Sequence, residues 1–225
     1  MILSDRLLKI AELVPKGSFT ADIGTDHGFL PIHLYKHGIT EKIIAADAAE
    51  KPLAKAITNI EKAGLTGKIK TLISDGLSNI ERCETVIIAG MGGKEINRII
   101  TKDINKLRAS TLILQPMTEV VKVRYHLAAS GFEITDERLS QEGFWFYNII
   151  SAKPGENRYK TDFDFYIGRR LIDSQDGHLQ AYLDKQAKKL TSLISSLEKT
   201  NKTKELIEAK YFLSEISKGQ NKCQP

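Results

Sequence analysis

The residues best suited to chemistry in this chain stand at the ends of short apolar runs. The first group is Asp22-Ile23-Gly24-Thr25-Asp26-His27-Gly28-Phe29, where a strand-like run gives way to a turn and a helix start. Gly24 and Gly28 permit left-handed backbone and close approach of a ligand, and the N–H groups of a helix start offer it donors. A dinucleotide-binding turn carries glycines where this chain has Asp26 and Phe29. A carboxylate there repels a pyrophosphate and attracts a cation, so the turn suits a positively charged ligand. S-Adenosylmethionine, with its sulfonium and ammonium groups, fits that description.

The elements that must position this turn follow from periodicity. Leu3, Leu7, Ile10 and Val14 recur at helical spacing after Ser4, and Pro15 and Gly17 end the pattern. Strands are expected at 18–23, 42–46, 69–73, 85–89 and 111–114, alternating with helices that begin near Phe29, Pro52, Glu95 and Val120. The runs KIIAA and TVIIA are too continuously apolar for a sheet with one wet face. Five such rounds imply a doubly wound parallel sheet with helices on both faces. Residues 132–139 and 145–152 have strand composition with a short connection, which suits an antiparallel hairpin rather than another crossover. The expected fold is therefore α/β: a mostly parallel, seven-stranded, Rossmann-like sheet of the class I methyltransferase kind with an antiparallel last strand.

Lys153-Pro154-Gly155 reads as a boundary, dividing a catalytic domain, 1–154, from a C-terminal helical domain, 155–225. In the second domain Leu183, Leu190, Leu193 and Leu197 share one helix face, and Leu206, Ala209, Leu213 and Ile216 share another. Separated by Lys199-Thr200-Asn201-Lys202, they predict a helical hairpin with coiled-coil-like spacing.

Ligands of a doubly wound sheet bind outside the carboxyl ends of the strands. On that rim the successive strands end in Asp22 and the turn after it, in Asp47, in Asp75-Gly76, in Gly90-Met91-Gly92-Gly93 and in Gln115-Pro116. Asp47 stands at the distance where an acid accepts from both ribose hydroxyls. Asp75 is placed to accept from an adenine amino group, with Gly76 bordering the ring, and the Gly90–Gly93 backbone can pass close to a transferable methyl.

The bulk numbers narrow the class. The chain has 225 residues, 41% hydrophobic and 27% charged, with a formal net charge of +5, and its pI is near 9.0. That charge permits a nucleic-acid partner without requiring one. No apolar run approaches the roughly 20 residues of a membrane span, and no export signal opens the chain, so a cytoplasmic protein with no membrane partner is expected. Cys83 and Cys223 do not suggest a disulfide, and His33, His37, His126 and His178 are too scattered to predict a metal site. Monomer and weak dimer both fit.

The stretches GTDHGFLP, IIAADA, SDGL, IIAGMGG and LQP, in this order and spacing, resemble the bacterial tRNA (adenine-22)-N1-methyltransferase family, and the resemblance covers essentially the whole chain. It implies S-adenosyl-L-methionine as cofactor, tRNA as partner and methylation of N1 of adenine 22. It places Asp22, Gly24, Thr25, Asp26 and Gly28 on the cofactor turn, Asp47 and Ala48 at the ribose, Asp75 and Gly76 at the adenine, and Gly90, Met91 and Gly92 at the reaction centre. Asp26, His27, Gly90 and Met91 are the candidates closest to the chemistry. Adenine N1 already carries a lone pair, so positioning rather than a covalent nucleophile should dominate, and Asp26 is expected to follow the positive charge that moves to the base or to contact the cofactor. The basic hairpin, with lysines at 185, 188, 189, 199, 202, 204 and 210, and Arg124, Arg138, Arg158, Arg169 and Arg170 are candidates for phosphate contacts. A methyltransferase of another substrate, small molecule or protein, and a non-catalytic nucleotide-binding regulator are the alternatives.

Overall fold

The computed structural model describes residues 3–200 and 202–222; Cys223 lies outside them. It divides into two compact units, Met1–Arg158 and Tyr159–Pro225.

In the first unit, strands β1 (Thr20–Ile23), β2 (Ile43–Asp47), β3 (Ile69–Ile73), β4 (Thr85–Gly92), β5 (Thr111–Thr118), β6 (Phe132–Glu142) and β7 (Trp145–Pro154) form one seven-stranded sheet in the order 3-2-1-4-5-7-6. The first five pair in parallel, and β7 runs antiparallel to both β5 and β6. Strand order reverses at β1, where β2 leaves on one side and β4 on the other. Burial on both faces explains the unbroken apolar runs: every residue of β1, and Thr85 to Ile88 of β4, is buried.

Helices α1 (Asp5–Glu12), α2 (Phe29–Lys36), α3 (Glu50–Lys62), α4 (Gly93–Lys102), α5 (Ile104–Leu107) and α6 (Val120–Ala129) flank the sheet. Helix α1 lies along the β6–β7 hairpin. Lys9 Nζ donates to the Leu139 carbonyl at 2.6 Å, the Ser140 hydroxyl to Asp5 at 2.7 Å, and Arg138 Nη1 to Glu12 at 2.6 Å.

Strands β4 and β5 run further than their apolar runs predict. Instead of stopping at Ala89 and Leu114, they continue through the glycines to Gly92 and through Pro116 to Thr118, with register shifts around Met91. Ladder pairing with each other extends both strands past the point where apolar composition ends.

The hairpin is held to α6 by a buried charge pair. Arg124 Nε donates to Glu137 Oε1 at 2.6 Å and its Nη2 to Asn148 Oδ1 at 2.9 Å, and Arg124 is 0% exposed. It therefore cannot contact phosphate as the sequence reading expected. Helix α6 turns this position towards β6, where an acid of that strand meets it.

The second unit opens on a π-helical turn, Asp164–Gly168, followed by α7 (Arg169–Ser174), α8 (Leu179–Leu197) and α9 (Thr203–Lys222). Asp164 Oδ2 accepts from the N–H groups of Lys160 at 2.8 Å and Thr161 at 2.9 Å, fixing the entry. Leu183, Leu190 and Leu197, seven residues apart, are buried with Ala209, Phe212 and Ile216 of α9. Leu193, expected on the same face, is 43% exposed, while Phe212 takes a core position and stacks on Tyr166 at 4.3 Å.

Removing one partner of a buried ion pair leaves a desolvated charge, which costs about 3–5 kcal/mol. Glu137→Ala should lower the stability of the first unit by that order in urea unfolding, whereas Glu12→Ala, at the solvent-facing pair with Arg138, should cost under about 1 kcal/mol.

Candidate functional site

The register of the parallel strands brings the candidate residues to one edge. Asp22 pairs with Ala45 and Ile23 with both Ala46 and Ile88, so Gly24 follows level with Asp47 and Ala89. Asp47 pairs with Ile73, which places Asp75 just beyond it, and Ala89 pairs with Gln115.

Around the switch at β1 this edge forms a cleft of about 530 Å³. Asp22, Gly24, Thr25, Asp26, His27 and Gly90 line it, together with Ser4, Arg6 and Leu7 from the helix α1 end. Of the remaining candidates, Gly28, Asp47, Ala48, Asp75, Gly76, Met91 and Gly92 lie on the rim outside this cleft lining.

The turn is shaped by close approach. Gly24 has φ +76°, and a Cβ there would fall 2.1 Å from the Met91 methyl. Asp26, standing where a dinucleotide turn has glycine, adopts φ +41°, a left-handed conformation that aspartate tolerates better than most residues. The Asp22 carboxylate, 5% exposed, accepts from the Thr25 hydroxyl at 2.7 Å. Burial pushes its pKa up to about 6, the Thr25 hydrogen bond opposing and the Asp47 charge adding to the rise.

The other acids are already engaged. Asp26 is half-exposed and ion-paired with Lys55 at 3.4 Å, and its Oδ2 lies 3.3 Å from His27 Nε2. His27 stacks on Phe29 with ring centroids 5.1 Å apart. Asp47 accepts from the N–H of Ala49 at 2.9 Å and of Asp26 at 3.4 Å, so it braces the turn as well as facing the rim. Asp75, expected to be open for an adenine amino group, instead holds Arg98 at 2.5 Å and Lys102 at 2.6 Å. Hydrogen bonds from these α4 cations hold its carboxyl down at about 2.

The four residues after Ala89 divide between two duties. At Gly90, φ +76°, an added Cβ would have only Arg6 Nη1 within 4 Å, at 3.8 Å; at Gly93 it would strike the Thr118 carbonyl oxygen at 2.6 Å. Gly90 thus opens the cleft, and Gly93 admits the backbone of β5.

One cleft residue that the sequence does not single out is Arg6. Arg6 Nη1 donates to Gln115 Oε1, which also accepts from the Gly90 N–H at 3.1 Å. Arg6 lies over the Tyr147 ring at 5.2 Å, and its Nε faces Glu142 Oε1 at 3.9 Å. Its sequence signal was position: three residues after Leu3 and four before Ile10, it falls on the buried stripe of α1. Arg98 and Lys102 had no such signal, since on an amphipathic helix they read as solvated charges.

Cys83 is buried, and burial, with the Glu84 charge adding, pushes its thiol up to about 11, which leaves it unreactive. His33 near the end of α2 and His37 just beyond it stack with centroids 3.9 Å apart. Among the described residues no group of three His, Cys, Asp or Glu side chains is arranged to hold a metal. Among the same residues no helix is long and apolar enough to cross a membrane.

Residues 3–150 match a family model described as a methyltransferase domain. The tRNA (adenine(22)-N(1))-methyltransferase of Bacillus subtilis is 34% identical over 157 residues, which span 68% of this chain and 66% of that protein. The crystal structure of the B. subtilis m1A22 tRNA methyltransferase TrmK superposes with a TM-score of 0.86 at 26% identity, covering 97% of this chain and 98% of that one. A Streptococcus pneumoniae protein solved in complex with S-adenosyl-L-methionine gives a TM-score of 0.86 at 30% identity, covering 96% and 99%. The chain belongs to the tRNA (adenine-22)-N1-methyltransferase family of methyltransferase-domain proteins.

Proposed function

We propose that this chain transfers the methyl group of S-adenosyl-L-methionine to N1 of adenine 22 in tRNA, and that it does so mainly by positioning. The observation that carries the reading is the cleft at the strand-order switch, where a desolvated carboxylate, Asp22, faces glycine-built backbone at Gly24 and Gly90.

These residues fit the cofactor. A buried acid with one hydroxyl donor has acceptor capacity left for an ammonium group, and Gly90 leaves open the space a reacting methyl and an incoming base must share. Asp47 is the group for the ribose hydroxyls, and Asp75, released in part by Arg98 and Lys102, the group for the adenine edge. Bound cofactor supplies an electrophilic methyl on a sulfonium centre. Every other contribution belongs to the chain: to hold N1 in line with that methyl, to exclude water, and to place acidic groups where the product base becomes cationic. Asp26 is the acid assigned to that last task, and His27 orients it.

The target nitrogen lies on the Watson–Crick edge, so a paired adenine must be exposed before it reacts. We assign the second unit, with its exposed lysines on α8 and α9, to tRNA contact through phosphate and shape rather than base reading. The protein acts in the cytoplasm, where its tRNA is found, as a monomer or weak dimer.

Incubation with labelled cofactor and unfractionated tRNA, followed by mapping of the modified base, should place N1-methyladenine at position 22; label in protein or in no product would overturn the reading. A chain ending at Arg158 should still bind cofactor by calorimetry and lose tRNA methylation. Asp26→Asn keeps a residue that accepts left-handed backbone, so the expected loss is about tenfold in turnover with cofactor affinity nearly unchanged; equal loss in both would move Asp26 to the cofactor.

Asp22 sets a pH dependence whose sign is fixed. Its folded pKa is raised above the ordinary 3.8 to about 6, so its contribution to stability is present at low pH and is lost as pH rises through that interval. Cofactor affinity should move the other way, because an ammonium group is held by the ionised carboxylate. Between pH 5 and 7.5 affinity should rise about tenfold by calorimetry, and Asp22→Asn should flatten that rise as well as weaken binding.

A further inference from the structure

The most exposed large apolar side chains of the first unit belong to one turn. Phe144 is 91% exposed and Trp145 69%, and they sit where β6 and β7 join, with Glu142 paired to Trp145 and Gly143 at φ +60°. Two large rings this exposed side by side form a contiguous apolar surface of the kind that marks a binding site.

Sheet topology determines what this tip overlooks. Strand β6 is antiparallel to β7, which is antiparallel to β5, so β6 runs with the parallel strands and ends at their carboxyl edge. Pairing carries β6 from Glu137, level with Leu114 through Ile150, on to Glu142 beyond the rim. The tip is also wired to the cleft: Glu142 faces Arg6 Nε at 3.9 Å, and Arg6 shares Gln115 Oε1 with the Gly90 N–H. Arg6 Nε and Glu142 Oε1 are both buried without a hydrogen-bond partner, so the link between tip and cleft retains polar capacity of its own.

We propose that Phe144 and Trp145 form a stacking platform for nucleobases that flank the target adenine once the tRNA is opened. This rests on tRNA being the substrate. An adenine drawn into the cleft leaves its neighbours unstacked, and aromatic faces on the same rim replace that lost stacking without reading sequence. The occupant is RNA rather than a second protein copy, because the tip is continuous with the cleft through Arg6 and its neighbours in the tRNA are the groups that must lie there. The two rings are positioning residues; neither touches the reacting atoms.

Trp145 is the single tryptophan of the chain, so its emission reports the contact directly. Titration of the full-length protein with tRNA should quench that emission, and adding cofactor alone should not. Trp145→Ala and Phe144→Ala should each lower kcat/KM for tRNA on the order of tenfold, chiefly through KM, with cofactor affinity and thermal midpoint unchanged. Trp145→Phe should restore most of the loss, since a second aromatic face suffices. Unchanged kcat/KM in Trp145→Ala, or emission that ignores bound tRNA, would overturn the platform while leaving methylation of adenine 22 by the unaltered protein intact. Absence of that methylation in the unaltered protein would overturn the functional reading instead, and the quenching measurement would still score the contact.

Discussion

The site depends on one steric contact: Gly24, in the turn after β1, lies against the Met91 side chain from the bulged end of β4, so a carbon added at Gly24 would overlap the Met91 methyl unless that side chain moved. That contact joins β1 and β4 at the switch in sheet order, and the polar rim of the cleft hangs mainly from these two strands, with Ser4, Arg6 and Leu7 added from the α1 end. Asp22 and Asp26 are fixed from the β1 side, and Gly90 from the β4 side. Register shifts around Met91 let β4 keep pairing with β5 while its backbone bends to meet the turn. Asp26, two residues on in the same turn, adopts left-handed geometry at φ +41°. A residue with a side chain is held where glycine is conformationally easier, at a cost on the order of 1 kcal/mol, and a carboxylate at the cleft mouth is what that strain secures.

A second constraint keeps the substrate side in place. The β6–β7 hairpin is clamped from two faces, by buried Arg124 of α6 through Glu137 and Asn148, and by α1 through Lys9, Asp5, Glu12 and Arg6. The Arg124 pair is not chiefly a source of stability, since desolvating both charges offsets most of their attraction. Its consequence is register: a hairpin slipped by one residue would face Glu137 away from α6 and strand a buried guanidinium. The clamp therefore specifies where the hairpin tip stands relative to Gly90.

Much of this was legible in the sequence because parallel strands buried on both faces leave continuous apolar runs, and because turn residues punctuate them. The five strand ends, the antiparallel hairpin and the pair of C-terminal helices could be read that way. What could not be read depends on partners distant in the chain. Residues 90–92 and 115–118 are strand only because they pair with each other, and no local composition says so. Arg124 looked like a surface cation because burial depends on Glu137 thirteen residues later. Arg98 and Lys102 carry no local signal for meeting Asp75, which lies 23 and 27 residues earlier with β4 between. Phe212 is buried where it stacks on Tyr166, from outside either helix, and Leu193 is 43% exposed.

The distribution of charge in the site favours catalysis by placement over acid–base chemistry. Adenine N1 needs no proton removed, and the acids are graded by how much their charge is already compensated. Asp75 is held ionised by two cations, Asp26 is shared between Lys55 and His27, and Asp22 alone is starved of solvent and of positive partners. A cationic ligand entering the cleft gains most at Asp22, where no other cation must be displaced. Under the function proposed for this chain, the half-compensated Asp26 at the mouth would respond more weakly, and a group of that strength would suit a charge that arises on the base only as the methyl moves.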